Sequence, residues 1–163
     1  GRIGNSRGAS SVAFDLGVLY KCEINDWEGA GWSVGLHVSN LGPKINYLTS
    51  KDALPATVKV GGAADLPFLQ MHKLTLTADL GYRLSPADVQ ALSVSAGAEY
   101  AWRELVMLRG GYHCGDKKKG DASYATAGAG VEYAGVRLDF AWLFAGHEYL
   151  ARNTFWVSLG YSF

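Results

Sequence analysis

The chain has 163 residues and carries 15 acidic and 15 basic side chains, so its formal net charge is zero. That length suits one sizeable domain, and no basic stripe of the kind that holds nucleic-acid phosphates is present. Glycine is plentiful at 21 residues and proline scarce at 4, while 9 tyrosines and 5 tryptophans exclude the composition of a disordered chain.

A period of two recurs along the chain, the period of a β-strand with one apolar face. AFDLGVLY sets Phe14, Leu16, Val18 and Tyr20 against Asp15 and Gly17. GWSVGLHVSN sets Trp32, Val34, Leu36 and Val38 against Ser33, Gly35, His37 and Ser39. TVKVGGAADL and KLTLTADLGYR continue the pattern, with Lys59, Asp65 and Asp79 on the polar side. LSVSAGAEY places Glu99 there, and VMLRGGYH places Met107, Arg109 and His113 there. YATAGAGVEY and VRLDFAWLF set Glu132, Arg137 and Asp139 opposite alternating alanines, Val131, Leu138, Phe140 and Trp142. NTFWVSLGYSF closes the series with Phe155, Val157, Leu159, Tyr161 and Phe163 on one face, making nine predicted strands.

One apolar face per strand fits either a soluble sandwich, with that face inward, or an outer-membrane barrel, with that face towards lipid. Three features favour a transmembrane antiparallel β-barrel. The polar face holds mid-strand charges of both signs: Asp15, Lys59, Asp79, Glu99, Arg109, Glu132, Arg137 and Asp139. Small residues crowd that same face. Tyr20, Trp32, Tyr82, Tyr100, Tyr112, Tyr124 and Tyr133 fall towards strand ends, where interfacial girdles sit. No run of about 18 apolar residues occurs, which excludes a transmembrane helix but says nothing against a barrel.

With the C-terminus placed in the periplasm, the inner links are CEINDWEG, PFLQMH, AWRE and AG. The outer links are LGPKINYLTSKDALPA, LSPADVQA, CGDKKKGDAS and AGHEYLARN. Short inner turns and longer outer loops are the expected asymmetry. Nine strands make an odd number, whereas bacterial single-chain barrels have an even one. The chain is therefore expected to be the C-terminal part of a larger barrel, a single domain over residues 1–163. Cys22 and Cys114 fit no metal spacing, and the strand topology puts them at opposite ends of the barrel, which argues against a disulfide between them.

Enzyme signals are weak. His37 and His113 are predicted on the polar face, and His72 and His147 in turns or loops, with neither an HExxH nor a GxSxG motif. The glycine-rich stretches lack a strand–loop–helix context. No catalytic residue, metal or cofactor is expected. The polar-face charges read first as a structural ion lattice filling the interior. The run Asp116 to Asp121 is either a docking loop or a solvated tip, and Tyr47 and Leu48 are apolar residues on a polar external loop.

These strands, taken with WSVGLHVSNLGPKINY, LPATVKVGGAADL, LRGGYHCGDKKKGDASYATAGAGVEY and the ending RNTFWVSLGYSF, resemble the C-terminal part of the PorV/PorQ family of outer-membrane proteins, on its PorV side. The resemblance implies a fourteen-stranded FadL-type barrel in Bacteroidota, of which nine strands are here. It also implies a shuttle of the type IX secretion system. Such a protein collects cargo by its C-terminal signal domain at the SprA/Sov translocon and passes it to the PorU sortase at the cell surface. The external loops would bind the partners, through Lys44, Asn46, Tyr47, Leu48, Lys51, Lys117, Lys118, Lys119, His147 and Tyr149. Tyr161 and the terminal Phe163 resemble the signal read by the barrel-assembly machinery. The alternative is a FadL-like transporter of hydrophobic small molecules, which needs an apolar track through the interior.

Overall fold

The computed structural model of the protein describes residues 12–42, 45–47, 50–52, 56–85, 90–145 and 154–162. Nine strands form one antiparallel sheet: β1 (Phe14–Glu23), β2 (Gly31–Leu41), β5 (Thr57–Phe68), β6 (His72–Arg83), β7 (Leu92–Trp102), β8 (Val106–Cys114), β9 (Tyr124–Tyr133), β10 (Val136–Ala145) and β11 (Thr154–Tyr161). Each pairs with its neighbour in chain order. The connection between β2 and β5 contains a further hairpin, β3 (Ile45–Tyr47) with β4 (Ser50–Asp52), in a segment that the alternation pattern treats as plain loop.

The register carries the period of two across the whole sheet. One row runs Cys22, Trp32, Ala64, Leu76, Ala98, Gly110, Ala127, Trp142 and Phe155 from edge to edge. The neighbouring row on the opposite face runs Glu23, Gly31, Asp65, Thr75, Glu99, Arg109, Gly128, Ala141 and Trp156. A slip of one residue in any strand would exchange the two faces, so the pattern and the pairing specify each other.

The apolar face has nothing packed on it among the described residues. Leu16, Leu138 and Leu159 are 66%, 50% and 76% exposed. Among the described residues the buried hydrophobic ones are Ala30, Ala91, Ala101 and Met107. A water-soluble sheet of this size hides its apolar side chains in a core; this sheet offers them to its surroundings.

The two ends of the sheet differ. At one end the connections are short: 24–30, 69–71, 103–105 and 134–135. Arg103 and Glu104 sit at φ 54° and 58°, and Ala134 and Gly135 at 50° and 79°. Two successive left-handed residues make a type I′ turn, whose twist matches that of the flanking strands. The indole Nε1–H of Trp27 donates to Pro67 O at 2.9 Å and ties the first of these turns to β5. At the other end lie the longer connections 42–56, 84–91, 115–123 and 146–153.

Among the described residues the sheet is not closed: β1 pairs with β2 and β11 with β10, and both flanks of the nine strands are open edges. Two expectations need correction. Tyr124 belongs to the charged face rather than to an apolar girdle, because it pairs with His113 one residue out of phase with Ala125. His72 lies in a strand, opposite Phe68, and its Nδ1 is 2.6 Å from Tyr100 Oη.

Candidate functional site

The charged face has three features. The first is an ion network between β7 and β10. Glu99 lies directly opposite Arg109 in the β7–β8 register, and the Arg109 Nε–H donates to its carboxylate. Arg109 Nη1 reaches across β9 to Asp139 Oδ1 at 2.6 Å. Arg137 Nε holds the other oxygen of Asp139 at 2.7 Å, and Arg137 Nη1 lies 3.5 Å from Glu132 Oε2. Two guanidinium groups and three carboxylates thus form one connected chain.

Glycine makes the crossing possible. A Cβ on Gly130 would stand 2.5 Å from Asp139 Oδ1 and 3.6 Å from Arg109 Nη1. The small residues of YATAGAGVEY therefore clear a path for the arginine over β9. Met107 Sδ lies 3.2 Å from Arg109 Nη2, and Met107 is buried opposite Ala101 in the β7–β8 register. The members are half-exposed, so the network works chiefly as a cross-link among four strands, with each pair screened by solvent.

The second feature is a shallow concavity of about 550 Å³ over β1, β2, β5 and β6. Gly17, Leu19, His37, Lys59, Gly61 and Asp79 line it. The Asp79 carboxylate occupies the space that a side chain at Gly61 would take. Asp15, expected with the face charges, accepts the backbone N–H of Asn40 at 2.7 Å. It caps a bulge where the β1–β2 register shifts and Asn40 turns to φ 56°. Asparagine tolerates that conformation better than most residues.

The third feature is at the long-connection end. Ser95 Oγ lies 2.9 Å from His113 Nδ1, and His113 Nε2 lies 3.1 Å from Asp121 Oδ1. Tyr124 stacks on the imidazole with ring centroids 4.8 Å apart. A hydrolase relay places its serine on Nε2 and its carboxylate on Nδ1; here the two are exchanged, and the chain fastens the 115–123 connection to the strands. Within that connection Lys117–Lys119 forms a single 3-10 turn. Asp116 caps it by accepting the Lys118 N–H at 3.0 Å, and Gly120 ends it at φ 75°. Among the described residues no group of three or more His, Cys, Asp or Glu could hold a metal ion.

A model of the family described as type IX secretion system protein PorV matches residues 1–90. The chain belongs to the PorV family. A comparison with curated proteins found no match. The matched stretch of this PorV-family chain spans β1 to β6, including the concavity and the β3–β4 hairpin. The ion network and the lysine turn lie beyond it. PorV is a component of a secretion system, which ties this chain to secretion machinery rather than to an enzyme family.

Of the residues expected to meet partners, Asn46 and Tyr47 are on β3 and Lys51 is on β4, with Asn46 paired to Lys51. Lys117, Lys118 and Lys119 share the exposed turn at the same end. Lys44, Leu48, His147 and Tyr149 lie outside the described residues, as does Phe163. Tyr161 pairs with Val136 at the end of β11. Sequence reasoning missed the Ser95–His113–Asp121 chain, because residues on two strands and a loop share no spacing signal. It also missed the glycine path under Arg109.

Proposed function

We propose that this chain is part of an outer-membrane β-barrel of the type IX secretion system, a shuttle that binds the C-terminal signal domain of cargo at the translocon and delivers it to a sortase complex. The observation that carries the reading is the PorV family match over residues 1–90, on a sheet whose apolar face is bare. Lipid is the natural cover for such a face. The charged face then lines the interior, where the Glu99–Arg109–Asp139–Arg137–Glu132 network acts as a structural lattice.

Open edges support a larger closed barrel. An unpaired edge strand invites aggregation unless it is covered. Both edges carry large apolar side chains on the charged face as well, Leu19 on β1 and Trp156 on β11, 63% and 53% exposed. Further strands pairing with β1 and β11 would cover them. The long-connection end then faces outward, with the β3–β4 hairpin and the lysine turn available to protein partners. A transporter of hydrophobic small molecules calls for an apolar track, and a face crossed by five linked charges fits that role less well.

The test is a mild-detergent pull-down of the tagged full-length protein from its native outer membrane, read by mass spectrometry. The expected recovery is a translocon, a sortase or cargo C-terminal domains. A barrel recovered alone with bound fatty acid would overturn the shuttle reading in favour of transport.

A further inference from the structure

We propose that the Lys117–Lys119 turn is a preorganised docking site for a carboxylate-rich protein segment arriving at the mouth of the barrel. The inference rests on the protein-binding reading above and names the chemistry of one contact.

Three consecutive lysines on a free loop would be an ordinary solvated tip. This turn is held at several points. Asp116 caps its start through Lys118 N–H, and Lys119 N–H and Asp121 N–H both donate to Asp116 O, at 2.9 and 3.1 Å. Gly115 N–H donates to Ser123 Oγ at 3.1 Å across the base of the loop. His113, fixed by Ser95 and stacked on Tyr124, holds Asp121. All three lysines are exposed, and among the described residues none is in an ion pair. The local carboxylates are occupied elsewhere: Asp116 in the cap and Asp121 on His113. The turn thus presents three cations whose backbone is already ordered, which reduces the entropy lost on binding.

Orientation selects the partner. His113 and Ser95 are on the charged face of the sheet, and so is Arg83, whose Nη1 reaches Lys119 O at 3.4 Å from two strands away. The connection therefore leans over the charged face and away from the apolar one. A cationic turn that recognised lipid phosphates would lean towards the bilayer. This one overhangs the interior mouth, where an acidic protein segment can reach it.

The experiment uses the full-length protein in phosphatidylethanolamine nanodiscs and a fluorescent octaglutamate peptide, with octaglutamine as control. Octaglutamate should bind, with affinity falling as salt rises. Lys117→Glu/Lys118→Glu/Lys119→Glu should weaken binding about tenfold or more, and the triple arginine variant should keep it. Asp121→Asn keeps every lysine but loosens the clamp, and should weaken binding roughly threefold through the ordering cost alone. Equal binding by wild type and the triple glutamate variant would overturn the proposal, as would no binding of octaglutamate. Capture of lipopolysaccharide without octaglutamate would overturn it in favour of a lipid ligand. Recovery of secretion machinery by the triple glutamate variant in the pull-down would remove this contact while leaving the secretion reading intact.

Discussion

Arg109 on β8 and Asp139 on β10 meet across an intervening strand, 2.6 Å apart, over the bare backbone of Gly130. The sheet has been built to allow that contact, since a Cβ on Gly130 would fall 2.5 Å from the carboxylate oxygen. Gly130→Val should push the pair apart and destabilise the folded protein by about 1–3 kcal/mol, the usual cost of overpacking. Urea unfolding of the full-length protein in lipid vesicles measures this. An unchanged midpoint would mean that the network contributes nothing as a cross-link.

Thr77 and Ala78 are adjacent on β6 and both exposed, and they point to opposite faces. In water an arginine would cost the same at either site. With a bilayer on the apolar face, Ala78→Arg should lose about 2–4 kcal/mol of folding free energy near the midplane. Thr77→Arg, on the charged face, should lose little. Equal effects in vesicle-folding titrations would argue for a soluble sandwich.

Glu104 and Arg103 adopt left-handed backbone conformations without being glycine or asparagine, at φ 58° and 54°. Replacing them by the pair that a type I′ turn prefers, Arg103→Asn with Glu104→Gly, should stabilise the protein by about 1 kcal/mol. A higher urea midpoint with an unchanged slope is the expected result. A lower midpoint would mean that the Arg103 and Glu104 side chains matter more than the backbone strain.

The sidedness of the sheet can be read with thiol labels. In a Cys22→Ser/Cys114→Ser background, Lys118→Cys should react with an impermeant maleimide on intact cells. Glu104→Cys, at the short-turn end, should react only after the outer membrane is opened. The reverse pattern would turn the barrel over and place the lysine turn in the periplasm.

The alternation of apolar and polar residues was legible throughout, because a strand repeats every two residues and one face of this sheet is apolar from Phe14 to Tyr161. Nine strands, their faces and the long and short ends all followed from that period. The short turns were harder to read: Arg103-Glu104 and Ala134-Gly135 lack the Asn-Gly signal, so the type I′ geometry is imposed by strand twist. Tyr124 was misassigned because an aromatic near a strand end reads as girdle, although it falls one position out of phase. The β3–β4 hairpin left no trace, since three-residue strands are too short to show a period.

By itself, then, the sequence determined which side chains share a face and in what order strands follow one another. Those are local properties of a two-residue repeat. Which charges meet was decided only by the tertiary structure. Arg109 could have faced any carboxylate on its side of the sheet; the β7–β8 register set Glu99 opposite it, and the gap at Gly130 gave it Asp139. The clamp of Ser95, His113 and Asp121 arose in the same way: the antiparallel pairing and one loop brought Ser95 and Asp121, which share no spacing with His113, within 3.1 Å of the two nitrogens of its ring.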